Sequence, residues 1–127
     1  MKLLVDTHVL LWWLEDDGRL GSHARDCISD PANIVLISDV SLWEIAIKSR
    51  IGKLKVDSSL IEREAAGADF TRLAIRPNHI HAVLRLPDHH RDPFDHLIIA
   101  QAIIEDATLV TADRRIGRYQ AKTMVCS

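Results

Sequence analysis

Two cysteines in 127 residues, Cys27 and Cys126, are too few and too far apart for a disulfide framework or a zinc-ligand spacing. Glycine and proline are scarce as well, at five and four residues, which argues against fibrous, low-complexity or linker-rich organisation. No glycine-rich phosphate loop and no G-x-S-x-G nucleophile elbow is present. Aromatic residues are few, three Trp, one Tyr and two Phe, and no RNA-recognition motif can be assembled from them. Long apolar runs are also missing. The longest, near 97–104, is interrupted by Gln101 and falls well short of the ~20 residues that span a bilayer. The first fifteen residues lack a basic segment followed by a small-residue cleavage site, and Asp6 stands where an uncharged stretch would be required. A cytoplasmic protein is expected. The formal net charge of −2 supplies no global attraction for nucleic acid. Two local basic clusters remain, Lys48/Arg50/Lys53 and Arg114/Arg115/Arg118, and each also reads as an ordinary solvated helix face.

What is present is a globular composition, 47% hydrophobic and 27% charged, in a chain long enough for one domain spanning 1–127. The pattern alternates between short strand-like runs and helical periodicity, which predicts an α/β fold with a mainly parallel sheet covered by helices. Strands are expected over 2–5, 34–37, 70–75, 108–111 and 122–125. Helices are expected around 10–14 and over 22–28 with Ser22 as cap, then from Ser38, Asp39 or Ser41 to Arg50. Further helices are expected over 59–66, from Pro77 to 84, over 94–105, and briefly from Arg114. Residues 87–93 read as a loop.

Four acids border these core-forming segments. Asp6 ends Leu3-Leu4-Val5, Glu44 interrupts Leu42-Trp43 and Ile45-Ala46-Ile47, Asp95 opens the run at Leu97, and Asp113 follows Leu109-Val110-Thr111. Carboxylates seldom sit there without a partner, and no Lys or Arg lies inside any of the four runs. Each has an ordinary alternative: Asp6, Asp95 and Asp113 suit helix caps or first turns, and Glu44 suits a buried hydrogen-bond network. Asp6 and Asp113 lie just past strand ends, where parallel sheets present functional groups. A partner that suits several carboxylates together is a hard divalent cation, Mg²⁺ or Mn²⁺. Histidines offer competing chemistry at His79, His81, His89, His90 and His96, but none of their pairs has a zincin spacing.

The segments Leu4-Val5-Asp6-Thr7-His8, Ser41-Leu42-Trp43-Glu44-Ile45, 91–102 around Pro93-Phe94-Asp95-His96, and Leu109-Val110-Thr111-Ala112-Asp113 together resemble the PIN-domain nucleases, most closely the VapC-type ribonuclease toxins. That resemblance implies a three-layer α/β/α sandwich and a Mg²⁺- or Mn²⁺-dependent endoribonuclease, with one or two ions held by Asp6, Glu44, Asp95 and Asp113. It implies an auxiliary role for Thr111, an RNA substrate, a small cognate antitoxin and a homodimer. An apolar groove around Trp12, Trp13 and Trp43 is the expected antitoxin seat. The chain departs from many such toxins in having His96, not arginine, directly after the third acid, so His96 becomes a candidate for supporting phosphate or the site. Two alternatives stand beside this reading: a PIN-like RNA-binding or interaction module without turnover, and a metal-dependent nuclease acting on DNA.

Overall fold

The computed structural model describes residues 1–88 and 92–126, so His89 and His90 of the expected loop lie outside the described residues. The strands are β1 (Lys2–Val5), β2 (Ile34–Ser38), β3 (Thr71–Leu73), β4 (Thr108–Thr111) and β5 (Thr123–Val125). They form one sheet in the order β3-β2-β1-β4-β5, with every neighbouring pair parallel. The helices are α1 (Thr7–Leu14), α2 (Ser22–Ser29), α3 (Asp39–Arg50), α4 (Ser58–Gly67), α5 (Pro77–Val83) and α6 (Pro93–Ile104), with 3-10 turns at Gly18–Leu20 and Arg114–Arg118.

Strand periodicity of two sends alternate side chains to opposite faces. Leu3, Val5, Val35, Ile37 and Val110 join Val9 and Leu10 of α1, Ala24 and Ile28 of α2, and Ile61 and Ala65 of α4 in one apolar layer. Leu4, Leu36 and Leu109 meet Ile98, Ile99 and Ala102 of α6, with Ile116 and Tyr119, in the other. Helix α3 contributes to both, Val40 to the second layer and Ile45 to the first. The result is the expected α/β/α sandwich around a parallel sheet. No helix among the described residues is long and apolar enough to cross a membrane.

Strand order reverses between β1 and β4: the chain first builds outward through β2 and β3, then returns to the other side of β1. Such a reversal opens a crevice beyond the carboxyl ends of the strands concerned. Val5 pairs with Val110 in register, and the Asp6 amide donates to the Val110 carbonyl at 3.0 Å. The chains leaving β1 and β4 therefore depart side by side at that crevice.

A buried polar relay ties together the two helices that flank it. The Ser38 hydroxyl accepts from the Val40 amide at the start of α3 and donates to Gln101 Oε1 of α6 at 2.5 Å. Gln101 Nε2 faces His79 Nδ1 of α5 at 3.3 Å. The same Nδ1 accepts from the Arg76 amide, while Nε2 lies 2.9 Å from Glu105 Oε2 at the end of α6. Ser38, His79 and Gln101 are fully buried. An unsatisfied buried polar group costs roughly 1–3 kcal/mol, so these side chains fix the relative setting of α3, α5 and α6.

Three expectations need adjustment. Ser22 is the first residue of α2 and Gly21, at φ 79°, is its cap; the left-handed backbone there favours glycine over a side-chain cap. Helix α4 begins earlier than expected because Asp57 caps it through the Ser59 amide. Strand pairing expected over 70–75 is confined to Thr71–Leu73, since this edge strand has only β2 beside it.

Candidate active site

The four acids arrive from four different elements and line one cleft of about 420 Å³. Its walls are Asp6, Glu44, Asp92, Asp95 and Asp113, with His8, Trp12, Ala112, Arg114 and Arg115. For Asp6 and Asp113, capping and lining the cleft are not alternatives. Asp6 Oδ1 accepts the Val9 amide at 2.9 Å and starts α1. Asp113 Oδ1 accepts the Arg115 amide at 2.9 Å and starts the 3-10 turn. In both, one oxygen anchors the carboxylate and the group still faces the cleft. Asp95 does not cap its own helix. That role falls to Asp92, which accepts from the Phe94 and Asp95 amides and adds a fifth carboxylate that the sequence reading did not single out.

Thr111, fully buried, bridges the two strand-end acids. Its hydroxyl oxygen accepts the Asp113 amide at 3.0 Å, and the hydroxyl favours the charged form of the Asp6 carboxylate. Burial raises the Asp6 carboxyl above its ordinary value, against the opposing effects of Thr111, the Val9 amide and His8. The Asp95 carboxyl is pushed up to about 7, by burial first and then by Asp92, Asp6, Glu44 and Asp113 in turn. These carboxylates therefore act on one another across the cleft.

Glu44 is 3% exposed. Thr7 donates its hydroxyl to Oε1 at 2.6 Å, and Lys48, one helical turn along, pairs with Oε2 at 2.5 Å. Thr7 Oγ1 also lies 3.1 Å from the Ser41 hydroxyl. Asp113 likewise has a cation, the forked guanidinium of Arg115, with Nη2 at 2.7 Å from Oδ2. No Lys or Arg lies inside the apolar runs, but both partners stand just beyond them, at i+4 and i+2. Two of the four acids thus have a side-chain cation of this chain as partner, beside any ion the cleft would hold.

The donor set is all oxygen, drawn from carboxylates that are mutually close and partly desolvated, which fits a hard divalent ion. It is not closed around one point: among the described residues no three His, Cys, Asp or Glu side chains are gathered as a ready ligand set.

His96 is not among the cleft-lining residues; its ring lies 6.2 Å from that of Tyr119. Arg114 and Arg115 provide the cationic wall instead. The three tryptophans have three different settings. Trp12 lines the cleft with the Arg19 guanidinium 5.1 Å above it, Trp13 packs on Phe70, and Trp43, half-exposed, meets the edge of Phe94 at 4.9 Å. His8 lines the cleft packed edge-on to Trp12, and nothing in its local sequence marks it.

The raised Asp95 carboxyl has a thermodynamic consequence. Between its ordinary 3.8 and about 7, the folded state holds this proton more tightly than the unfolded chain. Its contribution to stability is therefore present at low pH and is lost as pH rises through that window. Melting of metal-free protein is expected to show a steeper fall in midpoint from pH 4 to 7 than melting of Asp95→Asn. Parallel curves for the two would exclude Asp95 as the source.

The PIN domain family model matches residues 3–122. The chain is 29% identical over 120 residues to Ribonuclease VapC22 of Mycobacterium tuberculosis (strain ATCC 25618 / H37Rv), covering 93% of this chain and 92% of that protein. Among solved structures it is similar to VapBC2 from Rickettsia felis bound to a DNA fragment from their promoter, with TM-score 0.77, 16% identity and full coverage of both chains. It is also similar to Mycobacterium tuberculosis VapC20, described as a Sarcin-Ricin loop cleaving toxin, with TM-score 0.63 and 16% identity over 91% of this chain and 93% of that one. At 16% identity the two structural likenesses show a shared fold, and the family match spans nearly the whole sequence. The chain belongs to the PIN-domain family.

Proposed function

We propose that residues 1–127 form one metal-dependent endoribonuclease domain, the toxin of a two-protein toxin–antitoxin pair. The observation that carries this reading is the meeting of Asp6, Glu44, Asp95 and Asp113, from four separate elements, in one cleft at the strand-order reversal. RNA as substrate is supported by the likeness to Ribonuclease VapC22. A partner protein is supported by the likeness to VapBC2.

Asp6, Glu44, Asp95 and Asp113 would hold Mg²⁺ or Mn²⁺. Bound there, the ion supplies Lewis acidity, making water more nucleophilic and compensating charge on the phosphodiester. The chain's own contribution is orientation. The Val9 amide holds Asp6, Thr111 holds the Asp113 amide, Thr7 and Lys48 hold Glu44, and Asp92 fixes the first turn that presents Asp95. Attack by water rather than by a ribose 2′-oxygen leaves a 5′-phosphate and a 3′-hydroxyl. The antitoxin is a small protein with an amphipathic segment seated near Trp12, Trp13 and Trp43, and Trp43 is the most open of these anchors. The active form is a homodimer in the cytoplasm.

The test is cleavage of a mixed-sequence single-stranded RNA by chelator-treated protein. Mg²⁺ or Mn²⁺, but not Ca²⁺, is expected to restore cleavage, and co-purified antitoxin is expected to suppress it. RNA binding with no cleavage under any ion would establish the binding module instead, and cleavage confined to DNA would establish the DNA nuclease.

A further inference from the structure

Among the described residues, the cations paired with Glu44 and Asp113 differ in how firmly the fold holds them. Lys48 is one turn from Glu44 on the same helix, and the Glu44 side chain is 4% exposed. Parting that pair leaves a charge buried without compensation, a large penalty. The Arg115 side chain is 61% exposed, and exposed pairs of this kind contribute little to stability. Its guanidinium can leave without undoing the local structure, because the Arg115 backbone amide still donates to Asp113 Oδ1 and keeps the carboxylate oriented. Arg115 also stands on the cleft wall beside Arg114. A guanidinium fork fits two oxygens of a phosphate as well as it fits a carboxylate.

Resting on the phosphodiesterase reading above, we propose that Arg115 is an exchangeable counter-ion: it neutralises Asp113 in the metal-free cleft and turns to a backbone phosphate of the RNA when a divalent ion takes over that carboxylate. Lys48 stays with Glu44 throughout. Among the described residues five carboxylates line the cleft, at 6, 44, 92, 95 and 113. Two added positive charges reduce the attraction that holds Arg115 against Asp113. An incoming phosphate then offers it a new anionic partner at the cleft mouth. Arg115 thus opposes the ion while RNA is absent and supports RNA once the ion is present. By linkage, it makes ion and RNA each favour the binding of the other.

Mn²⁺ titration calorimetry without RNA, and fluorescence anisotropy of a mixed-sequence single-stranded RNA in Ca²⁺, test this on wild type, Arg115→Gln and Arg115→Lys. Arg115→Gln is expected to bind Mn²⁺ several-fold more tightly and RNA about tenfold more weakly. In Mg²⁺ its KM should rise by a larger factor than its kcat falls, and Arg115→Lys should recover part of the RNA affinity. A residue that only braced the turn would not tighten Mn²⁺ binding. Unchanged or weakened Mn²⁺ affinity in Arg115→Gln, or unchanged RNA affinity, overturns the proposal while leaving the nuclease reading intact. Wild type that neither binds Mn²⁺ nor cleaves RNA overturns both.

Discussion

Asp6→Asn and Asp95→Asn are each expected to lower metal-dependent RNA cleavage by about a hundred- to thousandfold, the scale seen when one preorganised charged or polar group is removed from a reacting centre. Both substitutions keep size and remove charge. At position 6 the substitution also preserves the fold, since asparagine caps a helix about as well as aspartate and can keep the bond from the Val9 amide. At position 95 it removes a carboxyl that burial and four neighbouring acids disfavour in its charged form. The metal-free variants should therefore melt no lower than wild type, and Asp95→Asn should melt higher at neutral pH. Mn²⁺ affinity measured by calorimetry should drop together with turnover. Wild-type cleavage with unchanged Mn²⁺ affinity in either variant would sink the assignment of that residue.

Glu44→Gln is expected to cost both activity and stability, because the residue lines the cleft proposed to hold the ion and also carries buried contacts to Thr7 and Lys48. The glutamine carbonyl can keep the Thr7 hydroxyl, but the amide that replaces Oε2 faces the Lys48 ammonium. Since the Lys48 side chain is 30% exposed, its charge can hydrate, and the loss should be on the order of 1–3 kcal/mol, below that for parting a fully buried pair. Cleavage should fall by about a hundredfold or more. The double variant Glu44→Gln/Lys48→Met separates the two roles. Removing the stranded ammonium should return much of the stability and none of the activity. If the double variant recovers cleavage along with its melting temperature, Glu44 serves the fold alone.

The sheet could be read from the sequence because its central strands are short apolar runs with acids at their ends. Residues 2–5 and 108–111 are strands as expected, and the acids that follow both enter the cleft. The helix bearing Asp95 was legible from its apolar spacing. What could not be read is long-range pairing. The relay from Ser38 through Gln101 and His79 to Glu105 joins residues 63, 22 and 26 positions apart, and no local pattern marks it. The cations on Glu44 and Asp113 were closer at hand, at i+4 and i+2, but confining attention to the apolar runs excluded them. The tryptophans were expected around one apolar groove because their segments are apolar; neighbouring positions on a helix point in different directions, so Trp12 and Trp13 meet different neighbours.

Asp6 and Asp113 use the same carboxylates to start a helical segment and to face the cleft, which constrains how this chain can decay. A duplicated copy released from selection on its activity would still need an oxygen-bearing side chain at 6 and 113 to begin those turns. Asparagine, serine and threonine are the replacements such a copy can accumulate there at little structural cost. Position 95 carries no such duty, since Asp92 already caps its helix, and drift there is open to a wider set of residues. In descendants of this chain, abandonment of the activity should leave its earliest and most varied trace at residue 95.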